Sequence, residues 1–225
     1  MQNNSFKVAI IDYEMGNLFS VKHACEFVGL HPVITTNKNE IFDADAAILP
    51  GVGAFGDAMM NLKKLDLIQP IRDFIASKKP FLGICLGMQL LFDESEEFGI
   101  HQGLGVIKGN VLKFPTKNMK GQQVKVPQIG WNQVFFNNNA NGIFSPLKDI
   151  QNGEFMYFVH SFYVNPANKQ SIYTSTIYEG IDYCSSVLQD NIFACQFHPE
   201  KSAAEGIKIY TNWVKIIKNI KEMQQ

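Results

Sequence analysis

The sequence contains few charged residues, no strong excess of either sign and no long apolar run. Charged residues make up 18% of the 225 positions, and the formal net charge is -1. The chain therefore lacks the basic surface that favours nucleic acids or anionic membranes. No apolar stretch approaches the ~18 residues of a membrane-spanning helix. The first residues are polar, without the basic and apolar regions of a secretory signal, so we expect a cytoplasmic protein that binds neither nucleic acid nor membrane.

Cysteine is also scarce. The four cysteines form no Cys-x-x-Cys pair, and a chain of this length does not need disulfides to stabilise its core. We therefore expect four reduced thiols, no metal site and no cofactor. The cysteines are Cys25, Cys85, Cys184 and Cys195, of which only Cys85 is placed for chemistry.

Strand and helix patterns alternate in the first part of the chain. This alternation predicts a parallel sheet with right-handed crossovers. After residue 99, short strands and turns predict a mostly antiparallel or mixed β portion. We therefore expect a single α/β domain over residues 1–225, with a central, mostly parallel sheet flanked by helices. Strands are predicted at 7–12, 31–35, 46–49, 81–84, 105–114, 125–136, 154–159, 171–177, 184–189 and 191–196, a turn at 137–142, and helices at 18–28, 57–62, 67–77 and 203–218.

The chain is organised around residues 79–92, with the sequence KPFLGICLGMQLLF. Its apolar run predicts a buried strand that ends at Cys85, and the residues after it continue at helical spacing through 92. Glycines on both sides give G-x-C-x-G, the thiol form of a nucleophile elbow. The elbow holds the thiol out at a helix N-terminus, where free N–H groups favour the thiolate. Cys85 is therefore a candidate nucleophile; the alternative is a small buried residue under a helix.

The loop at 50–56, PGVGAFG, follows the third strand and has three glycines. Turn geometry alone explains such a loop, and so does a backbone that approaches a ligand or changes conformation. Ligands collect at the carboxyl ends of parallel strands. Both this loop and Cys85 lie at such ends, so we expect them to be neighbours.

A second candidate group, Phe197-His198-Pro199-Glu200, follows the last strand. Residues two apart in an extended segment face the same way, so His198 and Glu200 share a side. An imidazole held by a carboxylate is the base that a thiol nucleophile requires. His160 is a weaker rival base because no carboxylate adjoins it.

Together, GICLGMQLL, QFHPEKS and the PGVG loop resemble the class I glutamine amidotransferases, whose triad here would be Cys85, His198 and Glu200. More narrowly, IDYEMGNL at 11–18, PGVGAFG at 50–56, VPQIGWN at 126–132 and YFVHSF at 157–162 resemble the glutaminase subunits of imidazole glycerol phosphate synthases, over almost the full length. The resemblance implies hydrolysis of L-glutamine and delivery of ammonia to a (β/α)8 cyclase-type subunit in a heterodimer, within histidine biosynthesis.

Elbow geometry makes the N–H of Leu86 one oxyanion donor. The resemblance implies that Val52 or Gly53 supplies the other after a peptide flip. It also implies glutamine binding by four residues and a partner interface at three. The glutamine-binding positions are Gln89, Glu97, Ser161 and Phe162, and the interface positions are Asn17, Trp131 and Lys201. Alternatives remain for several of them: Gln89 as an elbow-helix residue, Glu97 and Lys201 as solvated charges.

Two positions depart from the family pattern. Glu14 stands where a small residue, often glycine, is common, and Gln128 stands where histidine is usual; both lie in segments that the family places near its partner. Relatives of this branch also supply ammonia for surface-sugar amidination. The residues leave open a stand-alone thiol hydrolase and a non-catalytic scaffold as well, and ammonia release from glutamine separates these functions.

Overall fold

The backbone follows the predicted β-α-β alternation through the elbow. The computed structural model describes residues 5–137 and 145–223. Helix α2 was not predicted, because it is short and buries only Ile41; its signal is the cap Asn37 with Glu40 in the first turn. The first four strands are β1 Lys7–Ile11, β2 His31–Thr35, β3 Ala46–Gly51 and β4 Phe81–Cys85, and the first five helices are α1 Leu18–Phe27, α2 Lys38–Asp43, α3 Phe55–Lys64, α4 Ile68–Ala76 and α5 Leu86–Leu90.

The second half is rich in strands, as predicted, although β5, β6 and β10 were missed. The predicted turn at 137–142 lies, apart from Asn137, outside the described residues. The remaining strands are β5 Glu94–Ser95, β6 His101–Gln102, β7 Gly109–Lys113, β8 Gln128–Phe136, β9 Glu154–His160, β10 Phe162–Pro166, β11 Ile172–Tyr178, β12 Ile181–Gln189 and β13 Ile192–Cys195, and the last helix is α6 Ala203–Met223.

One sheet joins the two halves. Its order is β2-β1-β3-β4-β13-β12-β10-β7-β5-β6; β11 pairs with β12 and β8, and β9 pairs with β8. The strands from β2 to β13 in this order are parallel, and β12 joins antiparallel. The predicted fold class is therefore confirmed: a large mixed sheet with helices. Because β13 lies beside β4 and runs parallel to it, the carboxyl ends of these two strands meet at one edge.

Both faces of the sheet are covered by helices. Helices α3, α4 and α5 pack on one apolar layer, and α1 and α6 pack on the other. Burial of these apolar faces stabilises the fold and fixes the edge at which the loops after β3, β4 and β13 meet. Among the helices at 5–137 and 145–223, none is long and apolar enough to cross a membrane.

Candidate active site

The elbow has the predicted strand-turn-helix form. Cys85 ends β4 with φ +55°, a conformation that costs energy in a residue with a side chain. Gly87 allows the helix to start there, because a Cβ at this position would lie 1.7 Å from the Leu49 carbonyl oxygen. Two predictions need correction. Helix α5 ends at Leu90 rather than continuing through Phe92, and Cys85 is 6% exposed rather than held out in solvent.

His198 and Glu200 lie together, but not because the segment is extended. Residues Pro199–Lys201 form a 3-10 turn, which brings the carboxylate back under the imidazole. His198 Nδ1–H donates to Glu200 Oε1 at 2.8 Å, and both side chains are buried. This bond leaves Nε2 for proton transfer, and Nε2 has no hydrogen-bond partner among the described residues.

The pKa of His198 reflects opposing effects. Burial alone lowers it, but the neighbouring side chains of Cys85 and Glu200 raise the pKa to about 10. The imidazolium form is therefore favoured at neutral pH beside the Cys85 thiol. A thiol nucleophile with a neighbouring imidazolium is the arrangement that activates cysteine in thiol hydrolases.

A network that sequence reasoning missed fixes the backbone of His198. Ser202 Oγ donates to the His198 carbonyl at 2.7 Å and accepts from the Tyr157 N–H at 3.0 Å. The His198 N–H in turn donates to the Tyr157 carbonyl at 2.9 Å. Strand β9 therefore anchors the triad histidine.

A cavity of about 300 Å³ opens beside the thiol. It contains every residue predicted for substrate binding or for the oxyanion hole. Its lining is Val52, Gly53, Cys85, Leu86, Gln89, Glu97, Pro127, Val159, His160, Ser161 and Phe162. A second cavity of about 330 Å³, lined mainly by apolar residues under α6, contains no triad residue.

Gln89 is more than an elbow-helix residue. Its Nε2 donates to the Phe162 carbonyl and to Gln196 Oε1, each at 3.0 Å. Gln196 Nε2 lies 3.5 Å from Cys85 Sγ. Gln196 was not predicted, although its place two residues before His198 in QFHPE was a usable signal.

Glu97 is half-buried rather than a freely solvated charge. Its Oε2 accepts from the Phe55 N–H at 2.6 Å, at the start of α3. The carboxylate therefore joins one wall of the cavity to the glycine loop.

His160 is not a competing base. Its Nδ1–H donates to the Phe162 carbonyl at 2.8 Å, and its Nε2 lies 3.2 Å from the Tyr183 hydroxyl. Burial lowers its pKa to about 4. The ring is therefore neutral, and its one N–H is used by the Phe162 carbonyl.

Residues 50–53, which we call the oxyanion strand, extend β3 beside the elbow. The Ala47 N–H donates to the Pro80 carbonyl at 3.0 Å, which sets the phase of the parallel β3–β4 ladder. Pro50, opposite Ile84, has no N–H, which is consistent with its place among the alternate residues that make no bond to β4. Odd-numbered residues of β3 therefore make the bonds to β4.

Gly51, the last residue of this ladder, pairs with Cys85. By the same phase its carbonyl accepts from the N–H of Leu86, the donor that elbow geometry assigns to the oxyanion. Val52 is exposed, and Gly53 has φ +101°, where glycine is favoured. In this conformation a carbonyl, not an N–H, of the oxyanion strand faces the Leu86 N–H.

The three predicted interface residues are all at least partly exposed. Asn17 caps α1, accepting from the Ser20 N–H at 3.4 Å. Trp131 is 52% exposed and stands edge-on to Tyr157, with ring centroids 6.1 Å apart. Lys201 ends the 3-10 turn and is exposed.

The two departures from the family pattern have different surroundings. Glu14 has φ +69°, which explains why a glycine is favoured there. Gln128 is buried, and its Oε1 accepts from the Tyr183 hydroxyl at 3.0 Å. Its side chain therefore faces the interior, not a protein partner. In residues 5–137 and 145–223, no cluster of three or more His, Cys, Asp or Glu side chains is placed to hold a metal.

Comparison with known proteins agrees with this geometry. The family model for "Glutamine amidotransferase class-I" matches residues 9–216. The chain is 47% identical over 207 residues to an imidazole glycerol phosphate synthase subunit HisH from Geobacter metallireducens, covering 92% of this chain and 96% of the relative. It is also 47% identical over 208 residues to the subunit of that name from Aquifex aeolicus, with coverages of 92% and 95%.

Solved structures share the fold at low identity. PurLQS from Thermotoga maritima superposes with a TM-score of 0.69 at 20% identity, covering 96% of this chain and 99% of that one. The glutaminase domain of CTPS from Trypanosoma brucei gives 0.65 at 17% identity, covering 96% of this chain and 94% of that one. With the matches above, the chain belongs to the class I glutamine amidotransferases and, within them, to the HisH subunits of imidazole glycerol phosphate synthase.

Proposed function

We propose that this chain hydrolyses L-glutamine to glutamate and ammonia, and passes the ammonia to a cyclase-type (β/α)8 subunit that forms imidazole glycerol phosphate in histidine biosynthesis. The observation that carries the proposal is the buried Cys85–His198–Glu200 group at the carboxyl ends of β4 and β13. The relatives named above support the pathway.

In the first half-reaction, the Cys85 thiolate attacks the side-chain carbonyl carbon of glutamine and forms a carbon–sulfur bond. The carbonyl oxygen becomes an oxyanion that two backbone N–H groups stabilise. The His198 imidazolium gives its Nε2 proton to the amide nitrogen, the carbon–nitrogen bond breaks, and ammonia leaves. The product is a glutamyl thioester on Cys85.

In the second half-reaction, neutral His198 takes a proton from water, and the resulting hydroxide attacks the thioester carbon. The carbon–sulfur bond breaks, and glutamate leaves with the thiolate restored. Throughout, Glu200 holds the imidazole by the 2.8 Å bond to Nδ1 and stabilises its positive form.

Substrate binding is assigned to the cavity beside the thiol. Glu97 lies there with Gln89, Ser161 and Phe162. A carboxylate is suited to the α-ammonium group of glutamine, and the polar groups of 161 and 162 to its α-carboxylate. The interface with the cyclase subunit is assigned to Asn17, Trp131 and Lys201.

The proposal includes control of the reaction by the partner. The Gly51 carbonyl faces Leu86, so the oxyanion strand must rotate before two donors face the substrate. A missing oxyanion donor costs roughly 10²- to 10³-fold in rate. Partner binding that favours the rotated strand would raise turnover by this order, and ammonia would be released only when an acceptor is present.

The test measures glutamate release from glutamine by the chain alone, with the cyclase subunit, and with the cyclase subunit and its acceptor. We expect slow turnover by the chain alone and none in any mixture with Cys85→Ala. Imidazole glycerol phosphate should appear only in the third mixture. Equal turnover in all three would favour the stand-alone hydrolase, and turnover by Cys85→Ala would reject the nucleophile.

A further inference from the structure

A buried tyrosine behind the oxyanion strand has no role in the chemistry above. Tyr13 is fully buried, and its hydroxyl has no hydrogen-bond partner among the described residues. A buried hydroxyl without a partner opposes folding, so such groups are rare and call for an explanation. The Tyr13 carbonyl accepts from Asn61 Nδ2 at 3.1 Å, which fixes the backbone at this position.

The hydroxyl lies against the oxyanion strand. A Cβ built on Gly51 would be 2.0 Å from the Tyr13 hydroxyl oxygen and 3.0 Å from the Leu86 Cβ. Glycine at 51 therefore leaves the space that the hydroxyl fills. Tyr13 does not line the cavity beside the thiol, so it contacts the strand from behind rather than the substrate.

Sheet register places the backbone of Tyr13 on the side of β3 opposite to β4, and its side chain reaches over Gly51 to the elbow residues Leu86 and Gly87. Strands β1 and β3 are parallel, with Val8 opposite Ala46 and Ile10 opposite Ile48. The same offset, continued beyond the ends of the paired region, brings Tyr13 level with Gly51. β4, with the elbow, lies on the other side of β3.

Rotation of the Gly51–Val52 peptide reverses the directions in which its carbonyl and its N–H point. The Gly51 carbonyl leaves the Leu86 N–H and turns away from β4, and the Val52 N–H turns toward the reacting carbon. Both oxyanion donors become available in one movement. The displaced carbonyl then needs another donor close to Gly51, since a buried carbonyl without one is costly.

We propose that Tyr13 is a positioning residue whose hydroxyl donates a hydrogen bond to the rotated Gly51 carbonyl and so holds the oxyanion strand in its active state. This inference rests on the proposed glutaminase function. Burial and the nearby Cys85 raise the pKa of Tyr13, so the hydroxyl keeps the proton that it donates. The proposal explains why the Tyr13 hydroxyl has no partner before the strand rotates, because its hydrogen bond forms only after rotation.

The experiment compares Tyr13→Phe with Tyr173→Phe. Tyr173 lies in β11 and is also buried, and its hydroxyl contacts Ser145. Each variant is assayed for glutamine turnover in the complex with the cyclase subunit. For Tyr13→Phe we expect kcat to fall roughly 10- to 100-fold with little change in KM, because fewer complexes hold the rotated strand while the residues that bind glutamine are unchanged. For Tyr173→Phe we expect unchanged turnover.

Two further measurements separate positioning from general damage. Iodoacetamide alkylates a thiolate without forming an oxyanion, so its rate with Cys85 should be the same in Tyr13→Phe and in the unaltered chain. The thermal midpoint of Tyr13→Phe should be unchanged or higher, because an unpaired hydroxyl is removed.

Turnover of Tyr13→Phe equal to that of the unaltered chain would overturn the inference. So would a parallel loss of alkylation rate or a lowered thermal midpoint, since either would mean that the hydroxyl supports the resting fold. The unaltered complex reports separately on the proposed function: if it releases no glutamate, that function fails and the inference fails with it.

Discussion

At the scale of single residues, the backbone of Cys85 is strained by its own side chain. Its φ of +55° is tolerated best by glycine. We therefore expect Cys85→Gly to be more stable than Cys85→Ala by about 1–3 kcal/mol, although both are inactive. Chemical denaturation of the two variants measures the difference. Equal stabilities would show that the elbow carries no strain at this position.

The protonation of His198 gives a second prediction. Burial opposes the charged form, but Cys85 and Glu200 raise the pKa from the ordinary 6.5 to about 10. A raised pKa means that the contribution to stability is fully present below pH 6.5 and is lost as the pH rises through about 10. Replacing Cys85 with alanine should lower the pKa of His198. Histidine-selective NMR titration measures it, and an unchanged pKa in the variant would contradict the proposed thiol–imidazole interaction.

The sequence was sufficient to propose the triad residues but not their support. A cysteine between two glycines and a His-x-Glu after a strand indicate their chemistry from the sequence alone. Ser202 gains its role only from its contact with β9, which the sequence does not show. The position of Tyr13 behind Gly51 depends on the register of β1 against β3, which no local pattern specifies.

At the scale of elements, α6 approaches the triad turn through a glycine. A Cβ at Gly206 would lie 1.9 Å from the Pro199 carbonyl oxygen, which is backbone and cannot yield. Gly56 in α3 is a matched control, since a Cβ there would meet only the His101 ring, at 2.8 Å. A ring at the end of a side chain can move aside.

We expect Gly206→Ala to lower both stability and kcat, because it displaces the turn that holds His198 and Glu200. Gly56→Ala should be within about 1 kcal/mol of the unaltered chain, since alanine's helix propensity offsets the movement of His101. Thermal unfolding and glutamine turnover measure the two effects. Similar losses in both variants would mean that close approach at Gly206 has no special importance for the triad.

Long elements were predicted better than short ones. The strands of the parallel region are continuous apolar runs, and helices α1, α3, α4 and α6 have apolar residues at helical spacing, so their bounds were predicted within a few residues. The missed strands β5 and β6 have two residues each, too few for a period. The extended segment expected after His198 is a 3-10 turn, because Pro199 is also a good first residue of a helical turn.

At the scale of the whole molecule, the partner is expected to bind where Lys201 is exposed. Lys201→Ala should weaken binding of the cyclase subunit roughly 2- to 5-fold, as for one exposed ion pair, and lower the fraction of ammonia that reaches the acceptor. Its thermal midpoint should not change. Titration calorimetry and the ratio of cyclised product to glutamate measure these quantities.

Lys208→Ala is the matched control, since Lys208 is also exposed and follows in α6, where it pairs with Glu205 at 2.7 Å. It should change neither affinity nor coupling. Equal effects of the two variants would place the interface elsewhere or show that net charge alone governs association.

The insertion of β13 between β4 and β12 has a consequence for how the protein is made. Cys85 is synthesised long before His198, and β4 has a free edge until residues 192–195 pair with it. A growing chain that has folded its first half therefore carries the thiol without the imidazole that would activate it. We therefore expect the nascent protein to be unreactive toward amides until β13 pairs with β4 and brings His198 to Cys85.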